Sequence, residues 1–250
     1  MQKIIIVFIL FVLSACGQPA AMAQVGPKAD HSTWNTLLKK HVSDKGVNYK
    51  GFIAEKATLE SYLKHLSENV PAKTWSKNAT KAYWINAYNA FTVKLIIDNY
   101  PLKSIKDLSS TIAVPTVSTI WAKKWFTLGG KEMSLDNIEQ GILRKNYDDA
   151  RIHAALNCAS VSCPPLRAEA FTAAKLDAQL DEQMKAWLSD KSRNIISPNH
   201  LQLSKIFTWY GGDFKTQGTL VEYIQRFTDV KIAADAKISF LDYDWNLNES

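Results

Sequence analysis

The chain has 250 residues, of which 46% are hydrophobic and 22% charged, a balance that builds a packed globular body and excludes a disordered one. The formal net charge is +6, yet apart from short doublets such as Lys39-Lys40 and Lys123-Lys124 the basic residues are scattered. No stripe suited to nucleic acid is present, and no P-loop, G-x-G-x-x-G or H-E-x-x-H motif points to nucleotide or zincin chemistry.

At the N-terminus, Lys3 precedes an uninterrupted apolar run over residues 4–12, too short for a spanning helix. Leu13-Ser14-Ala15-Cys16 reads as a lipobox, so residues 1–16 are expected to be a lipoprotein signal with Cys16 lipidated. The alternative is cleavage after Ala21-Met22-Ala23, which would release a soluble periplasmic or secreted protein. Gly17 stands where an inner-membrane retention signal would carry Asp, so the expectation is an outer-membrane anchor facing the periplasm. Residues 17–30, with Pro19 and Pro27, read as a flexible tether.

Helical spacing begins near Ser32, with Trp34, Leu37 and Leu38 on one face. A turn and short extended piece follow at residues 46–49, then a helix over 56–66 carrying Leu59, Tyr62, Leu63 and Leu66. The strongest helical segment covers 78–100 and stops at Pro101. It carries Asn86 and Asn89 on an otherwise apolar helix, where asparagine is a poor helix former. Their amides either bond neighbouring backbone or orient a catalytic group, like the third member of a Cys–His–Asn arrangement. Residues 126–135 predict a hairpin turning on Gly129-Gly130. Ser134 or Asp136 can cap a helix over 137–145. An amphipathic helix over 170–190, a strand at 201–204, an aromatic loop at 207–214, a helix at 220–227 and a strand-like segment at 238–245 complete a single α+β domain over 31–250. The expected architecture is helices packed on a small sheet.

The chemistry concentrates between Arg151 and Leu166, which holds His153, Cys158 and Cys163, the only cysteines besides Cys16. Cys158, after Ala154-Ala155-Leu156-Asn157, is expected at the end of a buried strand, where catalytic side chains are displayed. One reading makes a thiol the nucleophile, with Cys158 preferred, His153 as its base and Glu139 orienting the imidazole. Its products would be those of acyl transfer at an amide, thioester or isopeptide carbonyl. His before Cys reverses papain's order, so a papain-like or transglutaminase-like arrangement would have to be permuted. A second reading is thiol redox, although the spacing is not C-x-x-C. A third lets His153, Cys158 and Cys163 bind zinc, and a fourth is a structural disulfide in an envelope binding protein. No cofactor is expected.

Trp209, Tyr210 and Asp213 could line a cleft for a small molecule, peptide or glycan of the cell envelope, and paired-carboxylate glycosidases leave no local signature to read. His31, His41 and His65 are expected to be solvated, as is His200, which is also a spare base ahead of a strand.

The chain further resembles a known family. Ala82-Tyr83-Trp84-Ile85-Asn86-Ala87-Tyr88-Asn89-Ala90, Ser134-Leu135-Asp136-Asn137-Ile138-Glu139, the segment from His153 to Leu166, Phe207-Thr208-Trp209-Tyr210 with Asp213-Phe214, and Tyr243-Asp244-Trp245-Asn246-Leu247-Asn248 are similar to the motifs of the domain of unknown function 547 family. The similarity runs from about Val47 to Asn248. It implies an exported bacterial protein and brings no established reaction. The family usually has His at the position of Gln140 and Phe at that of Ala154, so Gln140 is given no acid–base role.

Overall fold

A computed structural model describes residues 29–109 and 119–250. The expected lipobox, Cys16 and most of the tether lie outside the described residues. Helix α1 (Ser32–His41) buries Trp34, Leu37, Leu38 and His41. The two-residue strands β1 (Val42–Ser43) and β2 (Gly46–Val47) pair antiparallel. The extended piece expected after the turn is β2, and it ends at Val47. Asn48 then accepts the Gly51 N–H at 2.8 Å and caps α2 (Tyr49–Ala54), satisfying a backbone donor at the helix start.

Helix α3 (Lys56–Glu68) packs on α4 (Lys77–Asp98), which Ser76 caps through the Ala79 N–H. Sixteen of the 22 residues of α4 are buried, so this helix is surrounded on all sides rather than amphipathic. The predicted hairpin is present: β3 (Phe126–Leu128) pairs antiparallel with β4 (Lys131–Met133), and Gly129 and Gly130 both take positive φ in its turn. Ser134 and Asn137 form a reciprocal capping box at the start of α5 (Leu135–Ile138), and the chain continues as a π-helical turn over Glu139–Arg144.

A four-residue helix α6 (Ile152–Ala155) stands where a buried strand was expected. The reason is visible in α4: the Asn89 amide takes up the Ala155 carbonyl and the Asn157 N–H, the groups that a neighbouring strand would need. Helix α7 (Leu176–Ser189) starts later than predicted. The small sheet contains β5 (Ile195–Ile196), β6 (His200–Leu203) and β7 (Lys237–Phe240), with β5 antiparallel and β7 parallel to β6. Between β6 and β7 lie α8 (Ile206–Trp209) and α9 (Leu220–Gln225). The single α+β domain carries two apolar clusters. One is built around α1 to α4, the other around α7, β6, α8 and α9.

Two histidines expected in solvent are packed instead. His41 is buried against Phe52 and its Nε2 lies 2.5 Å from Glu55 Oε2. His31 Nδ1 is 2.8 Å from the Tyr62 hydroxyl, and burial pulls its pKa down to about 4. In both cases the ring serves as an apolar plate with one polar tip, which sequence spacing does not distinguish from a surface histidine. His65, half-buried, accepts the Asp30 N–H at 2.9 Å.

Candidate functional site

The site is assembled on the loop from Asn157 to Pro164. Asn89 holds its start: its Nδ2 donates to the Ala155 carbonyl and its Oδ1 accepts the Asn157 N–H, each at 2.9 Å. Asn157 closes the loop, donating to the Pro164 carbonyl at 2.8 Å and accepting the Ala159 N–H at 3.0 Å. Within it Ala159 has φ +61°, a left-handed conformation that is uncommon for a residue with a Cβ. The Cys163 N–H bonds back to the Ser160 carbonyl at 3.1 Å.

The last residues of the chain lie along this loop. Val161 N–H donates to the Asn246 carbonyl, and Asn248 N–H to that of Ala159. The arm carries Tyr243, whose hydroxyl is 3.3 Å from Cys158 Sγ and 3.2 Å from Ser160 Oγ.

Cys158 and Cys163 are free thiols with their sulfurs 2.8 Å apart. They sit in different surroundings. Cys163 is fully buried, and burial pushes its pKa well above the ordinary thiol value. Cys158 is half-buried, and its pKa is lowered by the hydrogen bond with Cys163 first, then by the Ser160 and Tyr243 hydroxyls. These groups favour a thiolate on Cys158 while Cys163 keeps its proton. Burial and the neighbouring sulfur charge drive the Tyr243 pKa upward, so this phenol remains a donor.

His153 projects from α6 toward the same region. Its Nε2 is 2.8 Å from Asp213 Oδ2, and its ring stacks on Tyr210 at a centroid distance of 4.1 Å. Asp213 also receives two bonds from Arg144, at 2.6 and 2.8 Å. The bidentate Arg144 contact and the bond with His153 hold the Asp213 carboxyl well below the usual carboxylate range. The group orienting His153 is therefore Asp213, not Glu139 as the sequence predicted. Glu139 is instead hydrogen-bonded to the Tyr210 hydroxyl, whose pKa is raised by burial and then by the Glu139 charge.

A cavity of about 260 Å³ opens where the two apolar clusters meet. Glu139, His153, Cys158, Cys163, Trp209 and Tyr210 all line it. Asp213 does not; it stands behind His153 as its anchor. Asn86 does not reach the cavity either: its amide pairs with both backbone groups of Phe171, at 2.8 and 3.0 Å. Asn89 acts on the site only through the loop. His200 lies on β6 with its Nε2 2.9 Å from Ser239 Oγ, away from the cavity. Among the described residues no group of three or more His, Cys, Asp or Glu side chains is arranged to hold a metal ion.

Residues 72–188 match the family model described as "Protein of unknown function, DUF547". That stretch is similar to the DUF547 family. No curated protein and no solved structure matches the chain. The DUF547 match spans Asn86, Asn89, Glu139, His153 and both cysteines. Trp209, Tyr210, Asp213, Tyr243 and Trp245 lie beyond its last residue, yet they wall the cavity or anchor its histidine.

Sequence reasoning passed over several wall residues around the two thiols, namely Tyr88, Trp121, Asp136, Tyr243 and Trp245. Trp245 stacks on Trp209 at 5.7 Å and meets Trp121 edge-on at 5.7 Å. The available signal was the Tyr243-Asp244-Trp245-Asn246-Leu247-Asn248 run, whose two aromatics serve the site while Asn248 ties the arm to Tyr49 at 2.7 Å.

Proposed function

We propose that the protein is a cysteine-dependent hydrolase or acyltransferase, with Cys158 as nucleophile and His153 as general acid–base. The supporting observation is that Cys158, whose pKa is lowered by hydrogen bonding first with Cys163 and then with Ser160 and Tyr243, shares one open cavity with His153 and Glu139. The thiolate attacks the carbonyl carbon of an amide, thioester or isopeptide. The leaving group departs with a proton from His153, leaving a thioester on Cys158. Water or an amine then attacks the thioester as His153 takes its proton, and the thiolate is regenerated. Asp213 holds the imidazole in orientation throughout, as the acid member of a triad does.

The test uses reduced protein and p-nitrophenyl acetate. A burst of about one equivalent of p-nitrophenol is expected, with an acetyl adduct on the Cys158 peptide that disappears in Cys158→Ser. Reduced protein that gives neither burst nor adduct would sink the proposal. On the strength of the Leu13-Ser14-Ala15-Cys16 sequence we place the enzyme on the outer membrane through lipid on Cys16, facing the periplasm. Labelled palmitate should then be incorporated by the full chain and not by Cys16→Ala. Among the described residues no helix is long and apolar enough to cross a membrane.

The 2.8 Å sulfur separation favours a second reading, reversible dithiol–disulfide cycling. In that reaction Cys158 and Cys163 give two electrons and two protons to a peroxide, which is reduced to water. Oxidised protein would lose two hydrogens by intact mass and both thiols would escape alkylation until reduced.

A further inference from the structure

Two carboxyl groups, Asp136 and Glu139, line the cavity beside Cys158, and among the described residues no lysine or arginine lines it. Asp136, in the first turn of α5, and Glu139, at the start of the π-helical turn, are about one helical turn apart, and both line the cavity. Glu139 is buried, with the Tyr210 phenol as its neutral partner. Asp136 is half-buried; its backbone N–H donates to the Trp121 carbonyl and its own carbonyl accepts the Glu139 N–H. Its carboxylate forms no hydrogen bond or ion pair among the described residues.

The basic groups nearby are committed elsewhere. His153 and Arg144 both face Asp213, and Lys106 lies 5.0 Å from the centroid of Trp245 without lining the cavity. Residues 110–118, outside the described set, contain no Lys, Arg or His. Burial and then the neighbouring Glu139 raise the Asp136 pKa, and a cation entering from outside would relieve that penalty. The rest of the wall agrees. Trp121, Trp209, Trp245, Tyr88, Tyr210 and Tyr243 surround the space with aromatic faces, which attract ammonium groups through their negative π-faces. A cavity of about 260 Å³ admits a group the size of one amino acid.

We propose that this cavity binds an acyl group carrying a free primary ammonium, held between the Asp136 and Glu139 carboxylates and the tryptophan wall. The chemistry of such a substrate rests on the acyl-transfer reading above; its recognition does not. The scissile bond is the one between the carbonyl of this amino-bearing group and its leaving amine. Cys158 forms the new C–S bond as the C–N bond breaks, and the departing nitrogen takes its proton from His153. Substrates that place a carboxylate in the cavity are repelled by Asp136 and Glu139.

Binding is read by tryptophan fluorescence, in both the unaltered protein and Cys158→Ser, with four probes of graded charge. L-Alaninamide is cationic, N-acetyl-L-alaninamide neutral and N-acetyl-L-alanine anionic, while N-acetylglucosamine tests a sugar site. We expect L-alaninamide to bind at least about tenfold more tightly than its acetylated form, and the anion not at all. Asp136→Asn and Glu139→Gln should each reduce that preference by about fivefold or more. Should either variant fail to fold, the comparison of cationic and neutral probes on the unaltered protein still decides. Equal binding of the two amides, tighter binding of the sugar, or no binding of any probe overturns the proposal. A Cys158 that gives no acyl adduct while L-alaninamide still binds selectively would remove the catalytic reading and leave the ammonium site standing.

Discussion

Asn89 and Asn157 are linked by a 2.9 Å bond from the Asn157 N–H to the Asn89 side-chain oxygen, and through it the central helix α4 sets the course of the chain one residue before Cys158. Asn86, one turn earlier on the same helix, makes a like two-bond clamp on Phe171, which does not line the cavity. Two chemically identical clamps thus serve different ends. Asn89→Ala and Asn86→Ala should each cost about 2–4 kcal/mol by urea unfolding, since each leaves two buried backbone groups without partners. Only Asn89→Ala should also slow iodoacetamide labelling of Cys158, by roughly fivefold or more. Equal labelling rates in the two variants would separate Asn89 from the site.

The two cysteines should differ sharply as nucleophiles. Cys158 is expected to label first, at a pH below that of an ordinary thiol, because the Cys163, Ser160 and Tyr243 donors stabilise its thiolate. Cys163→Ala removes the largest of these, so the midpoint of the labelling-rate profile should move to higher pH. Tyr243→Phe should move it the same way. Rates measured across a pH series check both, and a midpoint unmoved by Cys163→Ala would mean that the sulfur pair does not set Cys158 reactivity.

Asp213 and Glu139 are both carboxylates beside His153, and their substitutions should not be equivalent. Asp213→Asn takes the charge from the group that orients the imidazole and holds Arg144. The p-nitrophenyl acetate burst rate should fall by roughly tenfold or more. Glu139→Gln keeps a partner for the Tyr210 hydroxyl and should change that rate, with its neutral ester, by less than about threefold. A larger loss from Glu139→Gln than from Asp213→Asn would restore Glu139 as the orienting acid.

His31 makes the protein sensitive to acid at a place remote from the cavity. Its folded pKa of about 4 lies below the unfolded value of about 6.5, so the unfolded chain binds the proton more readily between them. The neutral ring's contribution is intact above pH ~6.5 and is lost as the pH falls toward ~4. We expect urea midpoints to decline over this window, and His31→Gln to flatten the decline by the equivalent of about 1–2 kcal/mol. Parallel curves for the two proteins would show that His31 titrates alike in both states.

Much of this fold was legible in local pattern. The helices α1, α3 and α4 follow from apolar residues recurring every three or four positions, and the hairpin follows from Gly129-Gly130 between short alternating runs. The stretch after His153 was misread as a strand because Ala154-Ala155-Leu156 is a short apolar run, which fits a buried helical turn equally well. Of the candidate site, His153, Cys158 and Cys163 stood out by residue type and proximity in sequence. Asp213 was picked out but given the wrong role, and Asp136, Tyr243 and Trp245 were passed over. The roles of Asp213 and Tyr243 depend on contacts between distant parts of the chain, with 60 positions separating His153 from Asp213 and 85 separating Cys158 from Tyr243.

The sequence by itself determined which residues are candidates for chemistry, because only thiols, imidazoles and carboxylates in such a cluster can supply it, and it determined the helices whose apolar stripes demand burial. Only the tertiary structure decided the partnerships. It gave Asp213 rather than Glu139 to His153, placed the Cys163 sulfur 2.8 Å from that of Cys158, and brought the C-terminal arm across the thiol loop. Hydrogen bonds and charge pairs act over a few ångströms of space, whereas separation along the chain says little about distance once a core has formed.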